Sequence, residues 1–194
     1  TNEARKGTVG KVKIIDCEFK SNKSRLGGSI SNNSDLKVIT SKLLDNDAEE
    51  FGGCIFNNGD YAEINDCLIK NNSANELGGG LCNRGKITIQ NSQLEKNSSK
   101  SGGAISIDDG SVKIYESKIA HNTSEENILK NNGRMETYNV DFNNNKSKLL
   151  ISNNEESILS ISNGKFTENN VEEYLILNNA RSFSLSSAVF ENNR

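Results

Sequence analysis

Apolar and polar residues alternate along this chain in a pattern that repeats throughout its length. Once in each repeat, an apolar residue is followed three positions later by asparagine. The eight pairs are Phe19/Asn22, Leu43/Asn46, Ile69/Asn72, Leu94/Asn97, Ile119/Asn122, Phe142/Asn145, Phe166/Asn169 and Phe190/Asn193. Successive asparagines are 24, 26, 25, 25, 23, 24 and 24 residues apart. A period in this range, held from end to end, predicts one supersecondary unit stacked on itself.

Each repeat contains two short stretches that predict β-strands. Ten and eight residues before the repeat asparagine stand two apolar residues, as in Val12/Ile14 and Ile87/Ile89, and this period of two is typical of a strand. A small residue then precedes a large one, as in Cys17/Phe19, where we expect the chain to pack into a corner. The large residues that open the eight pairs are expected to form one continuous core stack.

A third stretch in each repeat follows a polar loop. In the first four repeats it begins with two glycines: Gly27-Gly28, Gly52-Gly53, Gly78-Gly79 and Gly102-Gly103. A second asparagine column follows, interrupted by Ile107, and its members are Asn32, Asn57, Asn83, Asn131, Asn153 and Asn179. The apolar partners two residues earlier are Leu129, Ile151 and Leu177 in the later repeats. After Glu125 the paired glycines are lost, and Asn127, Leu149 and Leu175 stand in place of the second glycine.

Three short strands per turn, with bends between them, predict an all-β chain wound as a single right-handed parallel β-helix of about eight turns of 23–26 residues. We place this solenoid at residues 12–194 and interpret residues 1–11 as an N-terminal lead-in or cap. Equivalent residues of neighbouring turns would lie roughly 4.8 Å apart. Both asparagine columns are predicted to form structural ladders, because a carboxamide can bond its own turn and the next one.

Composition favours a thin solenoid over a compact globule, since hydrophobic residues make up only 33% and aromatic residues 6% of the chain. The absence of proline suits a backbone that donates to a strand ladder almost everywhere. The formal net charge is −3 without a basic stripe, so nucleic acid is not an expected partner. No apolar run approaches the ~20 residues that a membrane-spanning helix needs.

Residues with catalytic or metal-binding chemistry are isolated from one another. Asp16, Asp66 and Glu116 share one position of the repeat, but two turns, or roughly 9.6 Å, separate successive members. Asp108-Asp109-Gly110 predicts a turn, and His121 is the only histidine, on an outward corner. We therefore predict no catalytic, cofactor-binding or metal-binding residue and no cofactor. Outward aromatic residues are expected to be scattered, namely Phe51, Phe56, Tyr61, Tyr115, Tyr138 and Tyr174.

The four cysteines are predicted to be free thiols. Cys17 and Cys67 occupy the same small inward position two turns apart, which is too far for a disulfide. Cys54 and Cys82 lie on adjacent turns but offset along the strand, and residue alternation predicts both to point outward. Six Asn-x-Ser/Thr sequences begin at Asn22, Asn32, Asn71, Asn97, Asn122 and Asn145. The asparagines at corners are the expected exposed sites for a glycan in a secreted chain.

The alternation of Gly-Gly-Ala-Ile and Phe-x-x-Asn motifs resembles the repeats of chlamydial polymorphic outer membrane proteins. It is equally similar to the adhesin-like right-handed β-helix proteins of methanogens. Residues 52–59 and 102–105 carry the resemblance best, and it extends over about residues 12–125. The resemblance implies display at a cell surface and adhesion.

We therefore expect a secreted or cell-surface β-helix with a structural or adhesive, non-catalytic role. One alternative is the subunit of an extracellular filament that assembles head-to-tail through its terminal turns. Another is a β-helix that binds or cleaves polysaccharide. The expected partners are other copies of the chain or further β-helix repeats at the ends, together with a surface glycan or a protein receptor.

Overall fold

The computed structural model describes residues 10–194, which form parallel strands stacked into a β-solenoid of about eight turns. Three sheets run along the solenoid, as the repeat predicts: seven turns contribute strands to all three, and the last contributes strands to the first two. The first nine residues of the predicted lead-in lie outside the described part of the chain. Its last residue, Lys11, already belongs to the first strand and pairs with Asp35.

The first sheet has eight strands of five residues each, one per turn. They are β1 (Lys11–Ile15), β5 (Asp35–Ile39), β9 (Tyr61–Asn65), β13 (Lys86–Gln90), β17 (Ser111–Tyr115), β21 (Arg134–Tyr138), β24 (Ile158–Ser162) and β27 (Ser182–Ser186). Val12 and Ile14 pair with Leu36 and Val38 of the next turn. The predicted apolar positions therefore stack directly above one another.

The second sheet has eight strands of three residues each. They are β2 (Glu18–Lys20), β6 (Lys42–Leu44), β10 (Leu68–Lys70), β14 (Gln93–Glu95), β18 (Lys118–Ala120), β22 (Asp141–Asn143), β25 (Lys165–Thr167) and β28 (Val189–Glu191). Residues with positive φ flank these strands, as Asp16 (φ 52°) and Ser21 (φ 56°) do around β2. Short polar side chains tolerate this left-handed conformation better than apolar ones, which explains why the corners are polar.

The third sheet is divided into two arms in the first five turns. The first arm contains β3 (Lys23–Leu26), β7 (Asp47–Phe51), β11 (Ser73–Ala74), β15 (Ser98–Ser99) and β19 (Thr123–Ser124). The second arm contains β4 (Ile30–Asn32), β8 (Ile55–Asn57), β12 (Leu81–Asn83), β16 (Ile105–Ile107) and β20 (Asn127–Asn131). Beyond them, β23 (Lys146–Asn153) and β26 (Asn170–Asn178) each run as one uninterrupted strand, and β23 pairs with both arms.

The centre of every second-sheet strand contributes to one internal column. Pairing places Phe19, Leu43, Ile69, Leu94, Ile119, Phe142, Phe166 and Phe190 on successive turns. The rings of Phe142 and Phe166 are stacked with centroids 4.7 Å apart, and those of Phe166 and Phe190 are 4.6 Å apart. Burial of these side chains away from water is the main stabilising contribution of the column, at about 1.5–3 kcal/mol for each large apolar side chain.

The third-sheet strand of the seventh turn, β26, departs by one residue from the predicted register. Asn153 pairs with Asn178, and its Nδ2 donates to Asn178 Oδ1 at 2.6 Å, so Asn179 is not the ladder residue. Likewise Ile176, not Leu177, pairs with Ile151. Tyr174, not Leu175, pairs with Leu149. A β-bulge in β26, between the partners of Ser147 and Leu149, inserts one residue, whereas pairing of Asn179 with Asn153 would require two.

Candidate functional site

The first asparagine ladder runs along the corner that follows the second sheet. Asn72 shows the arrangement: its backbone N–H and its Nδ2 both donate to Asn97 Oδ1 at 3.0 Å, and Nδ2 also donates to the Leu43 carbonyl at 3.0 Å. The same contacts link Asn22, Asn46, Asn72, Asn97, Asn122, Asn145, Asn169 and Asn193 from turn to turn. Each side chain thus satisfies buried polar groups of the preceding and following turns, which would otherwise destabilise the fold.

The second ladder runs along the corner between the third and first sheets, and it has two segments. Nδ2 of Asn32 donates to Asn57 Oδ1 at 2.7 Å and Nδ2 of Asn57 donates to Asn83 Oδ1 at 2.8 Å. The second segment joins Asn131, Asn153 and Asn178. Ile107, which is fully buried, occupies the column between the segments. Opposite Ile107, Asn83 Nδ2 donates instead to the Gly85 carbonyl at 2.7 Å.

The paired glycines build the bend between the two arms of the third sheet. Gly52 has φ +66°, and a Cβ on Gly53 would lie 2.1 Å from the Gly79 carbonyl oxygen. The same contact recurs along the column, since a Cβ on Gly79 would lie 2.4 Å from the Gly103 carbonyl oxygen. The first glycine of each pair therefore supplies the backbone conformation and the second allows turns to stack closely.

An apolar cluster with one cation lies in the angle of this bend. Leu26, Phe51 and Leu77 stack on one arm. Phe51 lies with its ring centroid 6.4 Å from that of Phe56 on the other arm, and the Arg84 guanidinium carbon lies 5.6 and 5.3 Å from the two rings. Arg84 also pairs with Asp108 at 2.8 Å. A cation over two aromatic rings typically contributes about 0.5–1 kcal/mol at a partly exposed site.

This cluster shows that Phe51 and Phe56 are not scattered. The sequence contains a signal for it, because Leu26, Phe51 and Leu77 each stand immediately before a glycine pair. Further along the same angle is a polar cavity of about 290 Å³. Its lining residues are Glu76, Leu77, Lys100, Ser101, Glu126 and Lys130. The bend therefore carries an apolar region in the early turns and a charged region in the middle turns.

The acidic residues of the shared column lie at corners. Asp16, Asp66 and Glu116 all have positive φ and lie at the corner between the first and second sheets. Successive members are two turns apart. The three carboxylates are thus not brought together on adjacent turns. His121 is exposed at the corner before Asn122, also with positive φ. Within residues 10–194, no group of three or more His, Cys, Asp or Glu residues is placed to hold a metal ion.

All four cysteines are free thiols, but the predicted exposure of two is wrong. Cys54 and Cys82 are both fully buried. Cys54 belongs to the hydrophobic core beside Ile55, because the glycine bend interrupts residue alternation. Burial raises the pKa of each of these thiols to about 12, so neither is a reactive thiolate at neutral pH. Cys67 is buried as expected, whereas Cys17 is exposed in the first described turn.

Ion pairs between turns cover the outer face of the first sheet. Lys37 Nζ lies 2.8 Å from Glu63 Oε1, and Lys113 Nζ lies 3.1 Å from Glu136 Oε2. The bond from Lys37 lowers the pKa of the Glu63 carboxyl. Burial acts to raise the pKa of Glu136, but bonds from Lys113 and Arg134 outweigh it and lower that pKa. Solvent screens such pairs, so each contributes little to stability.

No protein-family model matches the sequence, and searches of the curated proteins and of the solved structures returned no match. Residues 10–194 contain no helix that is long and apolar enough to cross a lipid bilayer. The function proposed below therefore rests on the residues and geometry described above.

Proposed function

We propose that this protein is a secreted or cell-surface rod with a structural or adhesive role and no catalytic activity. The observation that carries the proposal is the first asparagine ladder, which links every described turn to the next without a break. A ladder of buried carboxamides fixes each turn to the next along the whole described solenoid. Such a design suits a shaft that keeps its shape while it presents its sides to the surroundings.

The dimensions support a shaft. Eight turns at the parallel-strand spacing of ~4.8 Å give a rod on the order of 40 Å long. Backbone hydrogen bonds between turns run parallel to the axis in all three sheets. A pull along the axis would therefore load two polar ladders, three sheets and the core column at once.

The flat outer face of the first sheet is the surface that we propose for adhesion. Tyr115 and Tyr138 are paired neighbours on this face, and Tyr138 is 48% exposed. Tyr61, 42% exposed, lies on the same sheet nearer to its first strand. Aromatic side chains with a hydroxyl group suit contact with a surface glycan or a protein receptor. The resemblance of the glycine and Phe-x-x-Asn motifs to surface β-helix proteins supports the same role.

Two experiments test this proposal. Antibodies against the purified chain should label intact, unpermeabilised cells of the source organism. Beads coated with the chain should adhere to those cells, and the double substitution Tyr115→Ser and Tyr138→Ser should reduce adhesion severalfold. The matched control is Lys113→Ser with Glu136→Ser, which changes the same face but keeps both tyrosines.

Each outcome is informative. Labelling only after permeabilisation would contradict surface display. Release of sugar fragments from a polysaccharide incubated with the purified chain would contradict a non-catalytic role. Equal loss of adhesion in the tyrosine and control variants would contradict the assignment to the tyrosines.

A second candidate function is assembly through the terminal turns, with further β-helix repeats or another copy of the chain. It is favoured by the last described turn, where the core columns reach the surface. Phe183, Leu185 and Phe190 are 38–44% exposed there. Light scattering and electron microscopy across concentration test it. Rods that lengthen with concentration, and that Leu185→Lys shortens, would support assembly; a constant length would contradict it.

A further inference from the structure

The six Asn-x-Ser/Thr sequences are sorted by the face of the strand on which they lie. Side chains alternate along a strand, so the asparagine and the hydroxyl residue two positions later share a face. In a solenoid, one face is the dry interior and the other is solvent. The asparagine and the hydroxyl residue of each such sequence are therefore expected on the same side of the solenoid.

Four of the sequences lie inside, although corner asparagines were expected to be exposed. They are Asn32/Ser34, Asn97/Ser99, Asn122/Ser124 and Asn145/Ser147, and all four asparagines are at most 1% exposed. Both N–H groups of the Asn97 carboxamide are used, one by the Ile69 carbonyl at 3.0 Å and one by Asn122 Oδ1 at 3.1 Å. Asn122 and Asn145 have the corresponding two bonds.

A sugar on one of these nitrogens is incompatible with the stacked turns. The bond to the sugar replaces one of the two N–H groups, so the ladder loses a donor. The sugar itself would occupy the space between adjacent turns, where the interior is closely packed. The ladder and N-linked modification of its asparagines are therefore mutually exclusive.

Asn71 differs because its sequence lies outside. Asn71 is exposed with φ 56°, while the next residue, Asn72, is fully buried in the ladder. The Asn71 Nδ2 donates to Asp45 Oδ1 at 3.0 Å on the exposed surface. The hydroxyl residue, Ser73, is half-buried on the same side and donates to Asp47 Oδ1 at 2.7 Å. The second N–H of this carboxamide thus faces solvent, with room for a bulky group.

We propose that Asn71 is an acceptor for an N-linked sugar in the folded protein, and that a sugar on a ladder asparagine blocks folding. The donor is an activated sugar diphosphate. Nδ2 of Asn71 attacks the anomeric carbon, the bond from that carbon to the phosphate oxygen breaks, and the diphosphate leaves with the electron pair. Nδ2 loses one proton, and the N–C bond replaces one N–H bond.

The experiment compares modification before and after folding. The full chain is made by cell-free translation with Ser24→Ala, which removes the sequence at Asn22 in the first described turn. A soluble N-glycosyltransferase with UDP-glucose is added either during synthesis or after folding, and mass spectrometry maps each hexose. After folding, occupancy at Asn71 should exceed that at Asn97, Asn122 and Asn145 by at least about ten-fold, because ladder sites open only by unfolding.

Addition during synthesis should modify the ladder sites as well, and those chains should be degraded by protease while chains modified only at Asn71 resist it. Ser73→Ala should abolish modification of the folded chain. Ser99→Ala is the matched control, since it removes the Asn97 sequence and should leave the folded pattern unchanged. Two results would overturn the proposal: equal occupancy of ladder sites before and after folding, or an unmodified Asn71 in folded chains when it is modified during synthesis.

Discussion

The first four turns build the third sheet differently from the sixth and seventh turns. In the early turns a glycine pair bends the chain, and the sheet has two arms. In the late turns β23 and β26 cross the same region as strands of eight and nine residues. In β23 and β26, Leu149 and Tyr174 stand at the positions where the chain bends in the early turns.

The first asparagine ladder and the core column do not depend on the bend. The first asparagine ladder and the stack from Phe19 to Phe190 continue through both regions. The bend instead determines the outer surface, because the Phe51, Phe56 and Arg84 cluster lies in its angle. The second ladder is interrupted at Ile107, in the fourth turn, which is the last one with a glycine pair.

The largest effect is expected from Gly53→Ala in the bent region. Its Cβ would lie 2.1 Å from the Gly79 carbonyl oxygen and 2.4 Å from the Ser73 carbonyl oxygen, and neither backbone group can move independently. We expect the free energy of unfolding to fall by about 4 kcal/mol, more than the roughly 1–3 kcal/mol typical of overpacking, because the added atom meets backbone on two sides. Urea denaturation followed by circular dichroism measures this loss.

Gly164→Ala is the matched control in the late turns. There the added Cβ meets the ends of the Ile161 and Phe166 side chains at 2.8 and 3.0 Å, and no backbone atom. The adjacent turns already carry Val140 and Ala188 at the same repeat position. We expect a loss below about 1.5 kcal/mol. Similar losses in the two variants would show that the bend does not require its second glycine.

The next effect tests whether the ladder is equivalent in the two regions. Asn97→Ala removes four hydrogen bonds and leaves the Asn72 backbone N–H and one of its two Nδ2 N–H groups without acceptors. Asn145→Ala removes the corresponding four bonds in the late region. We expect each to cost about 3 kcal/mol, because buried donors are left unsatisfied. If the losses in the two variants differ by more than about half that value, the bend reinforces the ladder.

A smaller effect is expected from joining the two segments of the second ladder. In Ile107→Asn, the new side chain can accept from Asn83 and donate to Asn131, which compensates for the lost apolar contacts. We expect a change within about 1 kcal/mol of zero. Ile107→Thr is the control, because threonine is too short to connect both neighbours and should be more destabilising. If the two variants are equally unstable, an asparagine at position 107 does not join the two segments of the second ladder.

The smallest effect is on pH dependence. A hydroxyl bond from Ser73 and the ion pair with Lys23 lower the pKa of Asp47 from its ordinary 3.8, and Lys37 lowers that of Glu63 from 4.5. A carboxyl with a lowered pKa stabilises the fold above the unfolded value, and this contribution is lost as pH falls through the folded value. Because both groups are partly exposed, we expect well under ~1 kcal/mol for each.

Hydrogen exchange between pH 5 and pH 3 checks this difference between regions. The turns that contain Asp47 and Glu63 should lose protection before the last two turns. Asp47→Asn should remove part of the pH dependence. Uniform loss of protection along the solenoid would show that these carboxyls do not act locally.

The core column and the first ladder could be predicted from spacing alone, because each turn repeats Phe-x-x-Asn with little variation in length. The second ladder was predictable up to Asn153. In and just after β26, both Ile176 and Leu177 are apolar and positions 178 and 179 are both asparagine. Two registers therefore fit the pattern. Only the bulge in β26 selects Asn178.

The exposure of Cys54 and the association of Phe51 with Phe56 were not predictable by residue alternation. The rule that side chains alternate holds within a strand and fails across a glycine bend, where Cys54 and Ile55 both enter the core. The distance between the two arms is likewise a property of the bend angle.

Local alternation repeated at a nearly constant period is enough to predict the number of turns, the residues of the core column and most ladder residues. Three features follow only from the tertiary structure. They are the two arms of the third sheet, the register of β26, and whether each Asn-x-Ser/Thr sequence faces the interior or the solvent. These features depend on how one turn rests on the next. A single residue more or less in a loop reverses the face of every side chain that follows it in the strand.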